Sequence, residues 1–150
     1  MPIHVVPHLI LMHGDNIFLS RRAATQKFSP GYWHCVSGTI EDGETPREAI
    51  TRETKEEIGI TLSNPPKLVV TVSVREQDFV NEAQVFDGLS LFFLGTLEEG
   101  QIPFNNEPTK QDLIGWFFIR NLPSPIVPSV KFGVTCFVQG QNYGEFQNLR

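Results

Sequence analysis

Cysteine is nearly absent from this chain. Cys35 and Cys136 are the only two in 150 residues, which excludes a disulfide framework and places the expected compartment in the reducing cytoplasm. Long apolar runs are missing as well. The first one, Ile3 to Met12, is interrupted by His4, Pro7 and His8, has no basic leader and is too short to span a bilayer, so no membrane partner is expected. Basic residues are outnumbered, 12 Lys and Arg against 17 Asp and Glu, and they form no patch. Duplex nucleic acid is therefore not an expected partner, and a polyanionic ligand could enter only together with metal ions. Repeats, low-complexity tracts and linkers are lacking too, and the length suits one compact domain over residues 1–150.

What is present is a concentrated acidic segment. Glu41 to Glu57 holds seven acids against Arg47, Arg52 and Lys55, which accounts for most of the formal net charge of -5. Thr45 and Glu48 form a T-x-x-E capping box, and Pro46 sits at the first helical position, where its missing N–H costs nothing. Gly59 supplies the left-handed stop. The spacing thus predicts a helix from Pro46 to Ile58, with Ile50, Thr54 and Ile58 as its packing stripe. Glu53, Glu56 and Glu57 stand at i, i+3 and i+4 and share an adjoining face. Arg52 is four residues from both Glu48 and Glu56, in reach of either.

Three carboxylates on one face have a bland reading and a chemical one. On a wet helix each like-charge pair costs only about 0.2–0.5 kcal/mol, so a solvated acidic face is tolerable. At an effective dielectric near 20, two charges about 5 Å apart repel by roughly 3 kcal/mol, and a divalent cation would relieve them. Oxygen ligands with no His or Cys nearby favour Mg²⁺ or Mn²⁺.

The glycine spacing adds to this. Gly38, Glu44, Arg52, Glu53, Glu56, Glu57, Gly59 and Ile60 fit the pattern Gx5Ex7REUxEExGU, in which U is a bulky aliphatic residue, and Thr54 at the first U is the one departure. The segment 38–60 resembles the box of the Nudix hydrolase family, in its MutT-like form. That resemblance implies an α/β fold, an α/β/α sandwich with a mixed β-sheet. It also implies a metal set drawn from the Gly38 carbonyl, Glu53, Glu56 and Glu57, with Glu53, Glu56 and Arg52 in catalytic roles.

Further along, Asn106-Glu107-Pro108-Thr109-Lys110, then Trp116 and Leu122-Pro123, resemble a second recurrent Nudix segment. The likeness makes Glu107 the expected fourth carboxylate, with Glu98 as second choice. It also implies a substrate contact at the end of the second strand, where Arg22 is the better match of Arg21 and Arg22, since a guanidinium fork meets phosphate oxygens two at a time. Trp33 is a candidate to stack on a base, a place in the core being its other reading.

The remaining pattern predicts strands over His4 to Met12 and Ile17 to Ser20, joined at Gly14-Asp15-Asn16, and over Trp33 to Ser37, Lys67 to Val74, Leu89 to Leu97 and Leu113 to Ile119. Leu89 to Leu97 does not alternate, which marks a central strand. Arg75 to Asp87 reads as a loop that includes strand ends. A last helix has Val130, Val134 and Val138 on one face and ends at Gly140, and the tail from Gln141 on reads as polar and frayed. His4 and His8 would share a face of the first strand, but two imidazoles without a third ligand do not make a metal site.

The expected activity is metal-dependent hydrolysis of a diphosphate bond in a small-molecule nucleoside diphosphate derivative. Foremost is a nucleoside triphosphate or related triphosphate, including pterin triphosphates, which the Val36-Ser37 entrance to the box resembles. Nucleotide sugars, dinucleoside polyphosphates and a non-catalytic nucleotide sensor are the alternatives. A homodimer through the Phe-rich strands is compatible with the composition.

Overall fold

The computed structural model describes residues 3–149. In chain order its elements are β1 (His4–His13), β2 (Asn16–Arg22), β3 (Trp33–His34), β4 (Val36–Ser37), α1 (Pro46–Ile58), β5 (Lys67–Gln77), β6 (Val85–Thr96), β7 (Gln111–Phe118), α2 (Pro128–Val138) and β8 (Tyr143–Asn148). All eight strands join one mixed sheet of order β3-β2-β1-β6-β5-β8, with β4 also paired to β1 and β7 to β2. The β1–β6 and β5–β8 pairings are parallel and the others antiparallel. Among the described residues no helix is long and apolar enough to cross a membrane.

Strand alternation builds two apolar layers. Leu9, Leu11, Phe18, Val36 and Phe93 pack with Ile50 and Ile58 of α1, while their neighbours Ile10, Ile17, Leu19, Cys35 and Phe92 pack with Val130 and Val134 of α2. Consecutive residues of one strand thus serve opposite helices, which is the expected α/β/α sandwich. The paired Phe92 and Phe93 explain why β6 reads as unbroken apolar sequence.

The helix signals act as the sequence indicates. Thr45 Oγ1 accepts from Glu48 N at 3.1 Å, the Glu48 carboxylate accepts from Thr45 N at 2.9 Å, and Gly59 is left-handed at φ 72°. Thr54 is buried, and its hydroxyl donates to the Ile50 carbonyl at 2.6 Å, which satisfies the polar atom that departs from the motif.

One expectation holds and one is corrected. The stretch Arg75 to Asp87 is a loop that includes strand ends: β5 runs to Gln77, β6 begins at Val85, and residues 78–84 join them. Arg75 lies directly opposite Asp87 and pairs with it at 3.3 Å, so opposite charges across the ladder support a segment that lacks apolar periodicity. The tail does not fray from Gln141. Residues Tyr143–Asn148 form β8 along β5, where Phe146 packs on Phe132 with ring centroids 5.3 Å apart.

Gly133 sits in the middle of α2 because the helix rests on Phe92: a Cβ there would lie 2.3 Å from the ring, and Phe92 is fully buried and cannot yield. Helix propensity alone would make Gly133→Ala stabilising by about 0.5–1 kcal/mol. The contact reverses the sign, and urea unfolding should show a loss of about 1–3 kcal/mol.

Candidate metal and substrate site

The site begins with an inverted helix end. Acids belong near a helix N-terminus, where the macrodipole is positive, yet Glu56 and Glu57 lie in the last turn of α1. Glu57 is 8% exposed, and Glu53, one turn earlier, is half-buried. Gly38 lets Glu53 lie flat, since a Cβ at that position would meet the Glu53 side chain at 2.2 Å.

The loop after β6 closes the helix end. Phe104 N donates to the Ile58 carbonyl at 3.1 Å and Asn106 N to the Glu57 carbonyl at 3.0 Å. Asn106 Nδ2 reaches the Glu56 carbonyl at 2.9 Å and Gln111 Nε2 the Glu57 carbonyl at 3.0 Å. These donors satisfy carbonyls that every helix leaves open at its C-terminus, and by doing so they bring Glu107 beside Glu57.

Carboxylate oxygens of Glu53, Glu57 and Glu107 then lie within 4.8 Å of one another. Glu57 Oε2 and Glu107 Oε1 are buried and have no hydrogen-bond partner. Burial first, and then the charges of Glu53 and Glu107, push the Glu57 carboxyl well above its ordinary range. Burial likewise raises Glu53 against the opposing pull of Arg52. Orphaned hard oxygen donors at this spacing fit a divalent cation, with no nitrogen or sulfur ligand in the group.

Glu56 stands apart from this trio. Its side chain is 53% exposed and pairs with Arg52 at 3.2 Å. Arg52 does not use Glu48, which is committed to the capping box. Its guanidinium forks onto Glu44 at 2.7 and 2.9 Å, reaches Glu53 at 2.9 Å and donates to the Thr39 carbonyl at 2.9 Å. The bonds from Arg52 hold the Glu44 carboxyl down at about 2. Glu98 is elsewhere, accepting from the Ser63 hydroxyl.

A cavity of about 260 Å³ opens over Glu53, Glu57 and Gly38 and is also lined by Arg22, Gln26 and Lys110. A second cavity, of about 130 Å³, continues from it between the sheet and α2, and Arg22, His34 and Ser37 border both. Each alone falls below the roughly 300–1,000 Å³ of small-molecule sites, and the two together fall within that range. Arg22 at the junction is fixed by donation from Nε to the Phe28 carbonyl at 2.5 Å.

Trp33 borders neither cavity: its ring packs edge-on against Phe117 at 4.8 Å, the core alternative of its sequence reading. Sequence reasoning did not single out Lys110, whose ammonium pairs with Glu107 at 3.0 Å, nor His34, which bonds to Ser20 at 3.2 Å. The proximity of Lys110 to Glu107 by three positions was the available signal for the first. No comparable signal existed for the second.

A family model for the NUDIX domain matches residues 2–131, and the chain belongs to the Nudix family. It is 34% identical over 61 residues to an 8-oxo-dGTP diphosphatase of Proteus vulgaris, covering 41% of this chain and 54% of that protein. It is 26% identical over 116 residues to the NAD-capped RNA hydrolase NudC of Stutzerimonas stutzeri, 77% of this chain and 37% of that protein. The matches therefore span about half and little over a third of these two relatives. The uncharacterized Nudix hydrolase YvcI of Bacillus subtilis is 30% identical over 114 residues, 72% of this chain and 69% of its own length. A crystal structure of MutT Nudix hydrolase from Burkholderia pseudomallei has a TM-score of 0.75 at 23% identity, covering 90% of this chain and 98% of that one, which shows the shared fold.

The raised Glu57 carboxyl has a thermodynamic consequence in metal-free protein. Stability linked to its protonated form is fully present below the ordinary value of 4.5 and is lost as pH rises through the higher native value. In EDTA, Glu57→Gln should therefore melt above the wild type at pH 7–8, with the gap closing as pH falls toward 4.5. Added Mg²⁺ should raise the melting temperature of the wild type and leave the variant nearly unmoved.

Proposed function

We propose that this chain hydrolyses a diphosphate bond in a small-molecule nucleoside diphosphate derivative, foremost a nucleoside triphosphate or related triphosphate, giving the monophosphate and pyrophosphate. The observation that carries this reading is the trio Glu53, Glu57 and Glu107, with two buried oxygens lacking partners, beside a cavity bordered by Arg22. The name of the Proteus relative, an 8-oxo-dGTP diphosphatase, supports the triphosphate class.

Glu53, Glu57 and Glu107 would hold Mg²⁺ or Mn²⁺, with Glu56 and the Gly38 carbonyl as further ligands. When bound there, such an ion would supply neutralising charge for the phosphates and lower the pKa of water. The protein's own residues do the rest. Arg52, held by Glu44, keeps Glu53 and Glu56 in register. The exposed Glu56, outside the trio, is available to take a proton from the attacking water, and Glu53, also bonded to Arg52, is the alternative base. Arg22 meets phosphate oxygens at the junction of the cavities, and Lys110 adds a second cation for the leaving pyrophosphate. The two free, buried cysteines accord with a reducing, cytoplasmic setting for a single domain over 1–150.

Pyrophosphate or phosphate release from nucleoside triphosphates, nucleotide sugars and diadenosine polyphosphates checks the reading. Turnover is expected with Mg²⁺ and not with EDTA, with a loss of roughly 100-fold or more in Glu57→Gln. Metal-independent nucleotide binding without turnover of any compound would instead mark a sensor.

A further inference from the structure

The face of the sheet under α2 changes character along three strands. Ile10, Val72 and Phe92 form its fully buried interior. At positions of the same pleat, two residues along β1 and β6 and four along β5, stand His8, Ser90 and Glu76, and all three line the 130 Å³ cavity. Packing does not require polar side chains there, and burying them is costly unless they are paired.

Their pairing is incomplete. Glu76 is 2% exposed and makes no ion pair among the described residues. Ser129 N donates to its Oε2 at 2.9 Å and Ser129 Oγ to its Oε1 at 2.7 Å. This contact supplies the cap that α2 lacks, since Val127 at its N-cap makes no side-chain bond. An ionised carboxylate offers about four acceptor positions, so roughly half remain for a ligand. His8 stacks on Phe92 with ring centroids 4.7 Å apart, and its Nε2 lies 3.3 Å from Ser90 Oγ. Its Nδ1 is buried and has no partner.

We propose that Glu76 and His8 select the base of the substrate, and that the base they select presents an amide N–H between an exocyclic amino group and an oxo group, the edge shared by guanine and the pterins. The inference rests on the triphosphate reading of the site. Burial raises the Glu76 carboxyl against the two bonds from Ser129; in its ionised form it only accepts, and it takes the amide and amino N–H groups. His8 is neutral, and with the Ser90 hydroxyl donating to Nε2 its Nδ1–H is free to donate to the oxo group. Adenine would turn a ring-nitrogen lone pair toward the carboxylate, and uracil or thymine a carbonyl oxygen; both set an acceptor against an anion. Phosphates are repelled from this end for the same reason and are directed past Arg22 to the carboxylate trio.

Wild-type protein with Mg²⁺ and with dGTP and dITP, which differ only in the 2-amino group, gives the test. Loss of a hydrogen bond to a charged group corresponds to about 10- to 100-fold, so kcat/KM should fall by that factor for dITP. In Glu76→Gln the dGTP-to-dITP ratio should shrink to within about threefold. A role confined to capping α2 would lower both substrates equally and leave the ratio unchanged, which overturns the proposal. Calorimetry with dGMP and dIMP in EDTA reads the same preference without metal or turnover. Tighter dGMP binding supports the base assignment even if no triphosphate is cleaved, a result that would sink the hydrolase reading alone. Equal handling of dGTP and dITP, or a preference for dATP or dTTP, overturns the assignment while leaving hydrolysis standing. Dihydroneopterin triphosphate separates the two sources of the edge: a kcat/KM above that of dGTP assigns the pterin, a lower one the guanine nucleotide.

Discussion

A negative charge buried at the wrong end of a helix is the constraint on which this structure turns. Glu57 is nearly out of solvent in the last turn of α1, where the helix dipole is already negative, and among the described residues no cation forms an ion pair with it, Arg22 and Lys110 acting on its charge only from farther off. The strain is tolerable only because the protein can protonate the group or surrender it to a divalent ion. Arg52 does not resolve it, since its guanidinium is spent on Glu44, Glu53, Glu56 and a backbone carbonyl. Arg52 fixes the rim of the acidic cluster and leaves the centre uncompensated.

Other elements follow from completing that helix end. Four donors from the segment 104–111 close the carbonyls of residues 56–58, and the same segment carries Glu107 to the trio and Lys110 to the cavity. Structural capping and ligand placement are therefore one act. A parallel economy occurs at α2, where Glu76 closes a helix start and lines the smaller cavity at once. The two helices, on opposite faces of the sheet, thus each bring one end to the same composite pocket, with Arg22 at the passage between its halves.

Local chemistry was readable from the sequence and long-range closure was not. Thr45, Pro46, Glu48 and Gly59 are signals contained within the helix they bound, and the strands with apolar periodicity announce themselves through that period. Strand β8 carries little apolar sequence and exists because β5 offers a parallel edge, while the outer half of the β5–β6 hairpin is held by a charge pair that periodicity does not detect. At the site, spacing put Glu53, Glu56 and Glu57 on one face. It could not tell that the face is split by depth, with Glu57 beneath the closing loop and Glu56 in solvent beside Arg52. Trp33 was ambiguous because an aromatic at a strand end serves core and ligand equally well, and only the position of Phe117 decides. His8 looks like an ordinary strand residue, and Glu76 like part of a polar loop with strand ends, until the fold places them on the buried face.

The most direct measurement is anomalous diffraction from crystals soaked in Mn²⁺. One peak is expected among the oxygens of Glu53, Glu57 and Glu107, at contact distances of about 2.0–2.3 Å for a small divalent ion. No peak at any Mn²⁺ concentration, or a peak confined to the outer face of Glu56 and Glu44 with the buried trio empty, would contradict the account.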